Sequence, residues 1–150
     1  MTQIEKDTFY MEFAKHSASR SKDPKTKVGS CIVNDKRLLS IGYNGAPRGF
    51  PDDVIPKTSD SEILLENKNS YIVHSELNAI LNYGGSLQDL CGSTLYVTIS
   101  PCHECAKIII QVGIKRVVYL EEYHRSKTNE MAKTLFKLAG VRIEKLGDNN

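Results

Sequence analysis

This 150-residue sequence has no apolar run approaching the ~20 residues needed to cross a bilayer. Met1–Lys15 carries charges throughout and has no apolar core of signal-peptide type. A cytoplasmic protein without membrane partners is expected. Net charge is nearly lacking too, with 20 Lys and Arg against 18 Asp and Glu. Duplex binding wants a clustered basic face, so no nucleic-acid partner is expected, whereas a small anion needs only a few placed cations. There is no internal repeat and no low-complexity tract, and the length suits a single domain spanning 1–150. Cysteine is scarce, with four residues. In a reducing compartment four thiols are core filler or metal ligands rather than a disulfide framework, and their spacing must decide.

Apolar periodicity predicts a helix over Thr8–Ser19, ended by the polar segment around Pro24. Val28–Val33 and Leu38–Tyr43 read as a hairpin turning at Asn34-Asp35-Lys36. A long polar loop, with Pro47, Pro51 and Pro56, runs from Asn44 to about Ser70 and has room for a short helix within Ser61–Asn69. His74–Tyr83 carries Leu77, Ile80 and Leu81 at helical spacing, as if on one buried face. Thr94–Thr98, Arg116–Leu120 and Val141–Lys145 read as strands, with helices at Cys102–Val112 and Asn129–Ala139 between them. Alternating strands and helices imply right-handed parallel crossovers. The expected fold is therefore an α/β/α sandwich around a mixed five-stranded sheet.

Two clusters carry chemistry. His74-Ser75-Glu76 opens one predicted helix, and Pro101-Cys102-His103-Glu104-Cys105 opens the next. A Cys-x-x-Cys at a helix N-terminus puts two sulfurs about one turn apart, where the helix dipole favours thiolates. His74, Cys102 and Cys105 together offer three Zn²⁺ ligands and leave a fourth position open, as catalytic zinc sites do. Glu76 stands beside them as a carboxylate able to take a proton from water and return it to a substrate nitrogen. Cys-x-x-Cys alone fits a redox pair equally well, and a structural zinc would want a fourth protein ligand. His103, between the cysteines, should point away from their metal. Cys31, in an apolar strand, reads as a small buried hydrophobe, and a second metal drawn from His16, Cys31, Cys91 or His124 is a weaker alternative.

His-x-Glu followed by Pro-Cys-x-x-Cys is the pattern of zinc nucleobase deaminases. The resemblance extends to Arg20-Ser21-Lys22-Asp23-Pro24, Lys27-Val28-Gly29, Gly42-Tyr43-Asn44-Gly45 with Pro47 and Gly49, Tyr96-Val97 and Tyr123-His124. Over roughly Phe9 to Lys145 the chain resembles the deoxycytidylate (dCMP) deaminase family of the cytidine deaminase superfamily.

That resemblance implies hydrolysis of dCMP to dUMP and ammonia, supplying dUMP for thymidylate synthesis. His74, Cys102 and Cys105 would bind zinc and Glu76 would shuttle protons. Asn44 would hold the sugar, Tyr123 would close the pocket, and Ser21, Lys22 and Lys27 would meet the 5′-phosphate. It also implies a hexamer activated by dCTP with Mg²⁺ and inhibited by dTTP, with Gly42, Asn44, Gly45 and Gly49 cradling the effector. Gly84-Gly85 stands where some relatives carry a basic residue, so selection between dCMP and dCTP is open. The rivals are a dCTP-accepting bifunctional enzyme, a tRNA adenosine deaminase of the same fold, and a non-catalytic zinc-stabilised binding module. Glu76 separates the enzymes from the module, since a structural zinc has no use for an unliganded carboxylate.

Overall fold

The computed structural model describes residues 1–51, 53–122 and 126–148. Helix α1, Gln3–Ala18, begins five residues before the predicted start, because Thr2 and Glu5 form a reciprocal cap on its first turn. The hairpin strands are β1, Gly29–Asn34, and β2, Arg37–Tyr43. Their turn is Asp35-Lys36, two residues with φ of 47° and 70°, rather than the expected three. Left-handed φ at both positions matches the twist of the flanking strands. The long loop contains single 3₁₀ turns at Leu64–Glu66 and Lys68–Ser70 instead of a continuous helix. Then come α2 (Ser75–Asn82), a 3₁₀ turn at Leu87–Leu90, and β3 (Thr94–Ile99). Helix α3 (His103–Gln111), β4 (Arg116–Glu121), α4 (Ser126–Ala139) and β5 (Arg142–Lys145) complete the chain. Among the described residues no helix is long and apolar enough to cross a membrane.

The sheet order is β2-β1-β3-β4-β5. β1 pairs antiparallel with β2 and with β3, while β3, β4 and β5 run parallel, so the sheet is mixed. Alternation along the central strands divides the core. Cys31, Val33, Tyr96 and Val118 face α1, through Met11 and Ala14. Ile32, Leu95, Val97 and Val117 face the other three helices, through Ala79, Ile80, Ala106, Ile109 and Phe136. These are the three layers of the α/β/α sandwich.

One buried face differs from the expectation. Leu81 is 69% exposed, and α2 buries Ser75 and Glu76 alongside Ala79 and Ile80. The helix turns two polar residues inward to build a site, so a stripe read from apolarity alone is rotated. On α3, Ile109 is buried while Ile108 is 40% exposed.

Candidate active site

The site lies where β3 ends and two helices begin, at the carboxyl edge of the parallel strands, where α/β sheets generally bind ligands. His74 is the N-cap residue of α2 and Cys102 that of α3, both extended, with φ, ψ of −70°, 155° and −75°, 167°. Serines on the hairpin fix α2 in place: Ser30 donates to Ser75 O at 2.8 Å and Ser40 donates to Ala79 O. Gly42 of β2 faces the same helix, and a Cβ there would collide with Ser75 O and Ala79 N. Close helix–strand contact is therefore part of how His74 is placed.

His74 Nδ1 lies 3.2 Å from Cys105 Sγ and 3.5 Å from Cys102 Sγ. The three donor atoms fall within 4.8 Å of one another. Tetrahedral zinc with ordinary Zn–S and Zn–N bonds sets ligand N···S separations of ~3.5 Å. The donor set fits zinc in distance and in chemistry. The Cys105 thiol, with help from the His74 ring, lowers the pKa of Cys102 to about 4, which favours its thiolate. The Cys102 sulfur and burial push Cys105 up, and its hydrogen bond to Cys102 raises His74. Binding a divalent cation requires both sulfurs as thiolates, so it releases the thiol proton that the pair retains. Among the described residues, this is the His, Cys, Asp or Glu group close enough to hold a metal. Cys31 is buried, donates to Tyr10 O at 3.3 Å and has its thiol pushed up to about 12 by burial; Cys91 is exposed. His103 is tied to Thr128 Oγ1, 2.8 Å from its Nδ1, outside the donor group.

Glu76 is 4% exposed and accepts from Ser75 Oγ at 2.8 Å. Burial raises its pKa above the ordinary carboxylate value. It shares with His74 and Cys102 the wall of a cavity of about 680 Å³, within the range of small-molecule sites. Asn44 is in that wall, but its amide already braces the backbone, donating to Thr26 O and accepting from Val28 N at 2.9 Å each. Each end of the amide keeps capacity for one further bond.

The expected phosphate residues are placed differently. Ser21 is buried, donating to Asn44 O at 2.9 Å and accepting from Asp23 N at 3.2 Å, and it does not line the cavity. Lys22 and Lys27 are exposed and also lie off the lining, which takes its cations from Lys25, Lys68 and Lys127. Gly42, buried in β2 against α2, offers a ligand no surface, and Gly45 N–H is bonded to Val73 O at 3.1 Å. Gly49 is exposed with φ of 87°. Tyr123 lies outside the described residues. Sequence reasoning passed over Lys68 because a lysine in a polar loop gives no sign of being buried. Asp23 was visible in the motif, but only as a neighbour of cations.

Residues 4–121 match the family described as the cytidine and deoxycytidylate deaminase zinc-binding region. The chain belongs to that family. Its relatives include the deoxycytidylate deaminase of Mus musculus, 46% identical over 95% of this chain and 80% of that protein. ComE operon protein 2 of Bacillus subtilis is 36% identical over 97% of this chain and 74% of that protein. A dCMP deaminase of cyanophage S-TIM5, solved in complex with dCMP and dUMP, superposes with a TM-score of 0.76. The two are 31% identical, with 97% of this chain and 98% of the phage chain covered. The zinc deaminase fold expected from the sequence is thus the fold observed.

Proposed function

We propose that this chain, as one deaminase unit, hydrolyses dCMP to dUMP and ammonia. The observation that carries the reading is the placement of a buried carboxylate, Glu76, in the wall of the cavity that His74 and Cys102 of the donor group also line. His74, Cys102 and Cys105 would hold zinc, which when bound supplies a Lewis acid that lowers the pKa of water at its open position. Glu76 takes a proton from the attacking water and passes it to the pyrimidine nitrogen, then takes the remaining hydroxyl proton and passes it to the departing amino group. The C4–N bond breaks, a C4=O bond forms, and ammonia leaves. Burial suits Glu76 to this exchange, since a raised pKa lets the side chain hold a proton between the two transfers. Asn44, rigidly braced, presents its remaining donor and acceptor capacity to the sugar hydroxyl. The nucleotide substrate of the mouse relative and of the phage structure supports dCMP over a free base.

The proposal extends, on family membership, to activation by dCTP with Mg²⁺, inhibition by dTTP, a hexameric assembly and a cytoplasmic location. Ammonia release from dCMP, dCTP, deoxycytidine and cytosine tests the substrate, and repeating it with each effector tests the regulation. Turnover of dCMP above the others supports the reading. Preferential turnover of dCTP would reassign the substrate, and zinc-loaded protein inert toward every mononucleotide would overturn it.

A further inference from the structure

Lys68 is the least expected charge in the cavity wall. It sits in the long loop between β2 and α2, yet its side chain is 8% exposed, and its partner Asp23 is 2% exposed. Lys68 Nζ contacts both Asp23 oxygens, at 3.0 Å and 2.9 Å. Asp23 Oδ1 also accepts from Lys25 N and Thr26 N, at 2.9 Å each, which closes the turn that follows Pro24. Thr26 O and Val28 N then hold the two ends of the Asn44 amide, and Ser21 Oγ holds Asn44 O. At its other side Lys68 N donates to Thr58 O at 2.8 Å, tying the pair back into its own loop. One continuous polar network therefore runs from the loop through Asp23 to Asn44, and Asp23, Lys25, Thr26, Asn44 and Lys68 all line the cavity that holds His74 and Glu76.

A buried lysine beside a nucleotide-sized cavity has two readings with opposite consequences. As a direct ligand it would aim its charge at the substrate. Here the carboxylate that neutralises it also organises the wall, and a compensated charge attracts an anion weakly. We propose that the Asp23–Lys68 pair is a positioning device for nucleotide binding: Lys68 acts through Asp23 to hold the 23–28 turn and Asn44 in the geometry that receives the substrate. The inference rests on the deaminase reading of the site. Loosening the turn moves groups that bind substrate and leaves the metal ligands and Glu76 untouched, so the loss falls on KM.

The test compares Asp23→Asn, Lys68→Met and the double variant in the zinc-loaded enzyme, reading kcat, KM for dCMP, zinc content and Tm. Wild-type turnover of dCMP checks the underlying function separately. Each single variant is expected to raise KM by about tenfold or more, with kcat within about threefold and zinc stoichiometric. The double variant is expected to be no worse than the worse single, because both changes break one device. Lowered or unchanged KM in Asp23→Asn with raised KM in Lys68→Met would overturn the proposal, since freeing the lysine would then help it grip the phosphate. Multiplying effects in the double, or a fall in Tm with KM unmoved, would overturn it too. If Lys68→Met does not fold, the near-isosteric Asp23→Asn decides by the direction of its KM change.

Discussion

On the proposed mechanism Glu76 and the three donor residues would do separable work, and substitution should separate it. Glu76→Gln keeps the side chain's shape and its contact with Ser75 but removes the proton carrier. It is expected to keep stoichiometric zinc and to lose ~10²–10⁴ in kcat, the usual worth of general acid–base catalysis. Near-normal ammonia release from that variant would remove Glu76 from the reaction. Cys102→Ala should instead lose metal and activity together, since it deletes one of the three grouped donor atoms. Metal analysis after dialysis against a chelator distinguishes the two variants. The four residues of this chemistry were legible because their spacing encodes it: two N-caps, one turn of helix between two sulfurs, one carboxylate two residues from a histidine. Lys68 and Asp23 were not legible, since their role comes from a contact across 45 positions of chain. Asn44 was legible as a site residue but not as a brace, because its partners Thr26 and Val28 are set by how the chain folds back after Pro24.

At the level of elements, two glycines let helices lie directly on the sheet, and they make a matched pair of probes. Gly29 of β1 faces α1, where a Cβ would strike Ala14 O and Ala18 N; Gly42 of β2 faces α2 in the same way. Either substitution by alanine overpacks a contact between backbones, at a cost of ~1–3 kcal/mol or more. The consequences should differ, because α2 carries His74 and Glu76 while α1 carries no site residue. Gly42→Ala is expected to lower zinc occupancy as well as Tm, and Gly29→Ala to lower Tm alone. Equal zinc loss in both would mean that the site senses global stability rather than the seating of α2. Strands were readable from this sequence because β-branched and apolar runs end at polar turns, as Val28–Val33 does at Asn34-Asp35. Helix ends were harder, since Thr2 caps α1 through a reciprocal pair with Glu5 rather than through any change in apolarity. The inward face of α2 was misread for a related reason. A helix that buries a carboxylate for function contradicts the rule that buried faces are apolar, so Leu81 looked like core and is exposed.

Across the whole molecule, one buried network joins the two ends of the chain. Asp7 on α1 takes a bidentate bond from Arg116 on β4, at 2.8 Å and 2.6 Å, and accepts from Tyr96 on β3 at 2.8 Å. Arg116 reaches on to Glu144 on β5 at 3.2 Å. Burial on its own would raise the Asp7 pKa, but hydrogen bonds from Arg116, Tyr96 and Gln3 hold it below its ordinary 3.8. Arg116→Ala would strand a buried carboxylate, for which ~3–5 kcal/mol is typical. Replacing both partners, as in Asp7→Asn with Arg116→Met, removes the buried charge at Asp7, leaves Glu144 within 3.8 Å of Arg142, and should cost much less. Because Asp7 is harder to protonate folded than unfolded, its contribution is fully present above the unfolded value and fades as pH falls below about 4. The urea midpoint of wild type should therefore exceed that of Arg116→Ala by its largest margin near neutrality, and the margin should shrink as pH falls from neutrality to about 3. Without Arg116, burial holds the variant's Asp7 above its ordinary value, so protonation relieves the variant's penalty first, and the wild type loses its own contribution below about pH 4. A margin constant across that range would show that the network holds α1 to the sheet by packing rather than by charge.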